Sequence, residues 1–176
     1  PADLLDAGEM DRVAAAVRQG AGRLDLLVNC AGQLEIGPAE QLGVAAADAF
    51  PAKLERALRA EGVGVEIVNA GVSGDTSSGG LSRLDWSVPD GTAAVILELG
   101  ANDALRGIDP AVTRKAIDQT LSRLKQRGIP VLLCGMRAPP NLGADYGARF
   151  DAIFPELAAA HGVLFYPFFL EGVAAQ

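Results

Sequence analysis

Two stretches of the sequence decide the fold, VEIVNAGVSGDT at residues 65–76 and AAVILELGAND at residues 93–103. Each begins with an apolar run typical of a buried strand and continues into a loop of small and polar residues. In an open α/β sheet, ligands bind at the carboxyl ends of the strands, where such loops lie. Small residues there leave backbone N–H groups free to point at a ligand. We therefore predict that Gly74 and Asn102 are two donors aimed at one place.

Strands alternate with helices along the rest of the chain, which predicts a parallel sheet with right-handed helical crossovers. We expect an α/β fold, a three-layer α/β/α sandwich of the flavodoxin-like type, with five parallel strands in the order 2-1-3-4-5. The whole chain, 1–176, is predicted to form a single domain. The predicted strands are 24–28, 65–68, 93–97, 129–133 and 163–169. The predicted helices are 10–19, 49–60 (with Asp48 as its cap), a short one near 81–84, 110–126 and 146–160.

The composition is that of an ordinary globular protein, with 49% hydrophobic and 21% charged residues among 176. The net charge of −7 and the absence of a basic stripe argue against nucleic acid and anionic membrane surfaces as partners. No apolar run approaches the length of a membrane span. The first residues, Pro1-Ala2-Asp3, lack the basic and apolar segments of a signal peptide, which predicts a cytoplasmic location.

The two cysteines, Cys30 and Cys134, both end apolar runs. This placement favours reduced, buried thiols over a disulfide. Cys30 could serve as a nucleophile if a base lowered its pKa, but we favour a buried small residue because no histidine is available to do so. We predict no metal and no cofactor.

Four blocks in fixed order carry a resemblance to a known family: NAGVSGDTS at 69–77, LELGANDALRG at 97–107, MRAPPN at 136–141 and YPFF at 166–169. From about residue 43 to 174 the chain resembles the SGNH, or GDSL-type, hydrolases, nearest the arylesterase, acyl-CoA thioesterase I and lysophospholipase L1 group. The resemblance implies hydrolysis of small carboxylic esters or thioesters through an acyl-enzyme on serine. It also implies that Gly74, by its N–H, and Asn102, by its side chain, are the oxyanion-hole donors, and that the hydrolase parent is periplasmic or secreted.

The reacting groups of that family are not identifiable in this sequence. Its Gly-Asp-Ser-Leu block is absent, because the expected positions hold EIGP at 35–38 or AGQ at 31–33. Its Asp-x-x-His block would lie beyond residue 169, roughly where the chain stops at Gln176. The single histidine, His161, precedes the fifth predicted strand, and we predict that it interacts with a helix dipole. We therefore expect a hydrolase scaffold with little or no activity.

Residues 1 to about 42 resemble a short-chain dehydrogenase/reductase, through a helix, a strand and the turn NCAG at 29–32. The Gly-rich dinucleotide loop of that family is missing, and Tyr146 is followed four residues on by Phe150 instead of lysine. We therefore predict a chimera of two α/β families. In it, residues 10–19 pack on the central strand in place of a missing last helix, and residues 24–28 supply the first strand.

Other polar residues near the two loops are predicted to have structural roles. Ser73, Ser77 and Ser78 favour turn and cap hydrogen bonds over catalysis. Asp75 and Asp103 are expected to hold the loops by accepting backbone N–H bonds instead of acting as acid or base.

Two arginines, Arg106 and Arg137, could meet an anionic substrate, but solvated surface positions are the commoner outcome. The alternative to a hydrolase scaffold is a non-catalytic recombined α/β fold. Such a fold would self-associate as a homo-oligomer through sheet surface that the helices leave uncovered.

Overall fold

A computed structural model describes residues 26–28 and 49–172. Within these residues the core is a sheet of four parallel strands in the order β1-β2-β3-β4. Their bounds are Leu26–Val28 (β1), Ala94–Glu98 (β2), Val131–Cys134 (β3) and Leu164–Tyr166 (β4). The parallel α/β prediction is confirmed, and these four strands keep the predicted relative order. The complete five-strand order stays a prediction.

Helices connect and flank the strands. They are Phe50–Ala60 (α1), Ser77–Ser82 (α2), Leu84–Ser87 (α3), Ala101–Leu105 (α4), Pro110–Gln126 (α5), Ala144–Asp151 (α6) and Ile153–His161 (α7), with a 3₁₀ turn at Pro140–Leu142. Helix α5 has the predicted bounds: Pro110 lies in its first turn, and the Asp109 side chain accepts from the Ala111 N–H at 3.0 Å.

Three predicted elements were wrong in their bounds. The helix expected over 146–160 is two helices, because Pro155 has no N–H to donate to the carbonyl four residues earlier. In place of the short helix expected near 81–84, the structure has two helices. Helix α2 begins before that range, and α3 ends after it. The fifth predicted strand ends at Tyr166, where Pro167 interrupts the ladder.

At the second predicted strand, 65–68, the structure has isolated bridge residues, Glu66 and Asn69, instead of a continuous strand. The reason lies in helix α1, whose side chains take up backbone groups of this segment. Glu55 accepts from the Ile67 N–H at 2.7 Å, and Arg59 donates to the Val65 carbonyl at 3.2 Å. Backbone groups bonded to side chains are not available to a strand ladder.

Alternate residues of the two central strands enter two apolar clusters, one on each side of the sheet. On one side, Leu97 and Leu133 pack with residues of α5, α6 and α7. On the other side, Ile96 and Leu132 pack with Leu54 and Leu58 of α1 and with Val63 and Val65. Helices therefore cover both faces of the sheet, which makes the described part a three-layer α/β/α arrangement.

Several predictions fall outside the described residues. They concern the helix at 10–19, Cys30 and the positions expected for the nucleophile. The predicted Asp48 cap was wrong, because α1 begins at Phe50 and its N-cap position is Ala49, without a side-chain cap bond. Of the segment that resembles a dehydrogenase, the structure describes only the backbone of β1, which agrees with a first strand at 24–28. The packing of residues 10–19 and the single-domain organisation stay predictions. No described helix has the length and apolar character needed to cross a membrane.

Candidate active site

The loop at 69–76 turns tightly before helix α2. The Asn69 side chain accepts from the Gly71 N–H at 3.0 Å, and Asp75 donates its N–H to the Val72 carbonyl at 3.1 Å. Gly74 has φ +77°, a left-handed conformation that glycine adopts without a steric penalty. This turn brings the backbone of residues 74 and 75 to the side of the loop at 98–103.

The loop at 98–103 leaves the carboxyl end of β2 and enters α4 through Gly100, which has φ +113°. A Cβ at this position would lie 3.1 Å from Cζ of Phe154 and 3.5 Å from Cζ of Phe150. Both the conformation and the space therefore require glycine. The sharp turn places Asn102 in the first turn of α4, directly beyond the sheet edge.

Two hydrogen bonds tie the first loop to Asn102 and to Arg106, the residue that follows α4. Asn102 donates from Nδ2 to the Asp75 carbonyl at 2.9 Å, and Arg106 donates from Nη2 to the Gly74 carbonyl at 2.7 Å. A carboxamide NH₂ has two hydrogens, so this bond fixes the Asn102 amide and leaves it a second donor. Among residues 49–172, none accepts a hydrogen bond from the Gly74 N–H. The structure thus brings together the two residues predicted as donors, while their role as oxyanion donors stays a prediction.

Asp75 has the predicted loop-holding role. Its Oδ1 accepts from the Thr76 N–H at 2.9 Å, and its Oδ2 lies 2.6 Å from Nε of Arg83. The carboxylate packs against Gly79, where any Cβ would overlap Oδ1. Glycine at position 79 is therefore what leaves room for the carboxylate.

Asp103 is fully buried and holds the start of α2. It accepts from the Ser77 N–H at 2.8 Å, from the Ser77 hydroxyl at 2.5 Å and from the Thr113 hydroxyl at 3.0 Å. The loop-holding role predicted for Asp103 and the hydrogen-bonding role predicted for Ser77 are confirmed. The cap of α2 is Thr76, whose hydroxyl accepts from the Gly79 N–H at 3.2 Å.

Sequence reasoning missed Arg83 and Thr113. Arg83 is eight residues from Asp75, and Thr113 is ten residues from Asp103. Neither spacing is a local capping or turn pattern. The sequence offered one signal for Arg83: a positively charged residue that follows the aspartate of a Gly-rich loop after one short helix.

Other predicted residues lie away from the two loops or have different partners. His161 ends α7, as predicted, but its Nε2 is 2.7 Å from Oδ1 of Asp118 in α5. Cys134 is buried at the end of β3 and forms no disulfide, as predicted. Arg137 is surface-exposed and lies over the Phe168 ring at 4.7 Å. Arg106 is exposed, but it is bonded to the Gly74 carbonyl instead of being merely solvated.

Tyr146 borders the same region from helix α6. Its hydroxyl donates to the Ile108 carbonyl at 2.8 Å. Burial raises the pKa of Tyr146 above its ordinary value, and the nearby charges of Asp103 and Asp109 raise it further. The hydroxyl is therefore neutral at physiological pH and acts as a fixed donor. Within residues 26–28 and 49–172, no three metal-ligating side chains come together.

Comparison with known proteins gives a family match over most of the chain. The model of the GDSL-like lipase/acylhydrolase family matches residues 36–176. Esterase TesA of Pseudomonas aeruginosa is 39% identical over 133 residues, which are 75% of this chain and 66% of TesA. Thioesterase 1/protease 1/lysophospholipase L1 of Escherichia coli K12 is 38% identical over 131 residues, 74% of this chain and 62% of that protein. The chain thus spans less than two thirds of the length of these curated relatives.

A solved structure is similar over a comparable range. AlinE4, an SGNH-hydrolase family esterase, is 44% identical and superposes with a TM-score of 0.77. The superposition covers 87% of this chain and 80% of AlinE4.

Proposed function

Because the chain belongs to the GDSL-like lipase/acylhydrolase family, we propose that it binds the acyl group of a small carboxylic ester or thioester. In this proposal Gly74, by its N–H, and Asn102, by its second amide hydrogen, stabilise the oxyanion that forms when the acyl carbonyl is attacked. The names of its relatives, an esterase and a thioesterase, support this class of substrate.

The bond from the Asn102 amide to the Asp75 carbonyl carries the proposal. It holds the Asn102 amide at the residue next to Gly74. The N–H of Gly74 has no acceptor among residues 49–172. Two fixed donors on a developing oxyanion lower the barrier by more than mobile water does, because they need no reorganisation during the reaction.

We also propose that the 176-residue polypeptide by itself turns over esters slowly. A nucleophile needs a base within hydrogen-bond reach, and the only histidine in the sequence is already bonded to Asp118. His161 lies just before β4, whereas Asn102 follows the end of β2. Since the strands are parallel, His161 lies at the amino ends of the strands and Asn102 at their carboxyl ends.

The test is hydrolysis of p-nitrophenyl butyrate by the wild type, Asn102→Ala and Gln119→Ala. Gln119→Ala is the control, because it removes an exposed carboxamide from α5. We expect slow turnover above the buffer rate that falls about tenfold or more in Asn102→Ala. The control should match the wild type.

Equal rates in buffer, wild type and Asn102→Ala would contradict the proposal and favour a non-catalytic fold. Gly74 requires another probe, because proline cannot adopt its φ of +77°. Titration with sodium butyrate, whose carboxylate resembles the oxyanion, should shift the NMR resonances of the Gly74 N–H and the Asn102 side-chain amide.

We further propose two features of the predicted architecture, one for the segment at 65–69 and one for residues 1–42. Residues 65–69 form an edge beside β1 in the order 2-1-3-4-5, supported by the bridge residues Glu66 and Asn69. Residues 1–42 derive from a dehydrogenase-like unit, a proposal that rests on the resemblance of the helix, the strand and the turn NCAG at 29–32. If residues 10–19 pack on the sheet, Val13→Asp should lower the melting temperature by several degrees, and an unchanged value would contradict this packing.

A further inference from the structure

Asp75 lies between the two donors of the proposed oxyanion site. Its N–H belongs to the peptide that follows Gly74, and its carbonyl accepts from the Asn102 amide at 2.9 Å. Asp75 is thus covalently bonded to Gly74, which carries one proposed donor, and hydrogen-bonded to Asn102, which carries the other, so a shift of Asp75 disturbs both. Asp75 therefore helps to set the geometry of the site, beside Arg106, which holds the Gly74 carbonyl.

Arg83 holds Asp75 and the start of the same loop. Its Nε donates to Asp75 Oδ2 at 2.6 Å, and its Nη1 donates to the Ala70 carbonyl at 2.7 Å. The side chains of Arg83 and Asp75 are only 11% and 13% exposed, so the ion pair is largely shielded from water. Since Ala70 and Asp75 lie near the two ends of the loop, one guanidinium fixes its span.

The guanidinium is itself fixed. Its Nη1 also lies 2.9 Å from the Ser87 hydroxyl in helix α3, so its plane is held by an element outside the loop. Residues 70–76 form no helix or strand that could hold them through a backbone ladder. Besides the backbone bond from the Asp75 N–H to the Val72 carbonyl, side-chain bonds hold the loop, and Arg83 supplies bonds at two points.

We propose that Arg83 is a positioning residue for the acyl-oxyanion site. It keeps the Gly74 N–H and the Asn102 amide turned toward the same point by clamping Asp75 and Ala70. It does not contact the substrate. This inference deepens the proposed function and rests on it for the link to acyl binding.

The test compares Arg83→Lys with Arg127→Lys. Lysine keeps the charge, but a single ammonium cannot reproduce the planar fork that reaches Asp75, Ala70 and Ser87 together. Arg127 is a matched control: its Nη2 donates to the Val88 carbonyl at 2.7 Å and lies 3.6 Å from Asp90, before β2 and away from the two loops. Thermal denaturation first establishes that each variant is folded.

The first measurement is ¹⁵N relaxation of the Gly74 N–H and the Asn102 side-chain amide in the protein without ligand. In Arg83→Lys we expect the order parameter of the Gly74 amide to fall from about 0.85 to below about 0.6. In Arg127→Lys it should keep its wild-type value. The second measurement is the Kd for sodium butyrate, which should rise at least tenfold in Arg83→Lys and less than twofold in Arg127→Lys.

Wild-type order parameters and a wild-type Kd in Arg83→Lys would overturn the inference. If the wild type does not bind butyrate, the proposed function fails, and the order parameters alone then decide whether Arg83 holds the loop. If Arg83→Lys does not fold, Asp75→Asn replaces it, because that change removes the same ion pair from the other side. Unchanged loop order in folded Asp75→Asn would equally overturn the inference.

Discussion

Gly100 shows at the scale of one residue why the loop after β2 has its sequence. Its φ of +113° is a conformation that L side chains rarely adopt. The missing side chain also lets the rings of Phe150 and Phe154 approach the backbone. The same glycine therefore allows the core to pack closely and allows the chain to turn toward Asn102.

We predict that Gly100→Ala destabilises the fold by about 3 kcal/mol, through backbone strain together with overpacking against Phe154. Urea unfolding followed by circular dichroism measures this change. Gly147→Ala is the matched control, because Gly147 lies within α6 and a Cβ there meets nothing within 4 Å. That variant should be more stable by about 0.5–1 kcal/mol. Similar losses in both variants would contradict the special role of position 100.

The structural roles of Asp75 and Asp103 could be predicted from the sequence, because aspartates in short loops accept nearby backbone N–H groups. The side chains that bond to these two aspartates from other elements could not be predicted. Arg83 reaches Asp75 across the loop, and Thr113 reaches Asp103 from another helix. Such contacts depend on how the elements pack and not on a local pattern.

At the scale of elements, helix α5 was predicted most accurately. Pro110 and Asp109 mark its start, and the apolar stripe of Ile117, Leu121 and Leu124 is buried as its spacing indicates. The break between α6 and α7 also had a sequence signal, Pro155, which the apolar pattern obscured. The segment at 65–68 had none, since its apolar alternation is that of a strand and its backbone partners are side chains of α1.

Tyr146 connects helix α6 to the turn before α5, and its raised pKa makes this connection pH-dependent. Because the folded pKa lies above the unfolded value of about 10, the contribution to stability is complete below pH 10. It is lost as the pH rises from there through the folded pKa.

We predict that Tyr146→Phe lowers the free energy of unfolding at pH 7 by about 1 kcal/mol, the usual contribution of a hydrogen bond. Above pH 10 the difference between the variant and the wild type should narrow, because only the wild type loses the tyrosine contribution. Urea unfolding at pH 7, 9 and 10.5 measures it. A difference that stays constant with pH would show that the tyrosine pKa is the same in both states.

At the scale of the whole molecule, the two central strands hold the layers together. β2 and β3 pair with each other and with one further strand each, and nearly all their side chains are buried. The segment at 65–68 has instead alternating exposure and isolated bridges. Local stability should therefore differ sharply between these parts.

We predict that amide hydrogen exchange is slowest in β2 and β3, at rates close to those set by global unfolding. Amides at 65–68 should exchange about a hundredfold faster or more, because their bonds open without unfolding the sheet. Exchange measured by NMR or mass spectrometry tests this order. Equal protection of both regions would mean that 65–68 is a full strand of the sheet.

The sequence by itself determined the fold class, the family and the two loops that meet at the candidate site. These follow from residue types and spacings along the chain: apolar runs, Gly-rich turns and four blocks in fixed order. Only the tertiary structure decided how the site is held, because the deciding bonds link residues far apart in sequence. Asn102 reaches Asp75 across 27 residues, and Asp103 reaches Ser77 across 26. Local sequence patterns report neighbours along the chain, whereas these contacts exist only once the helices have packed against the sheet.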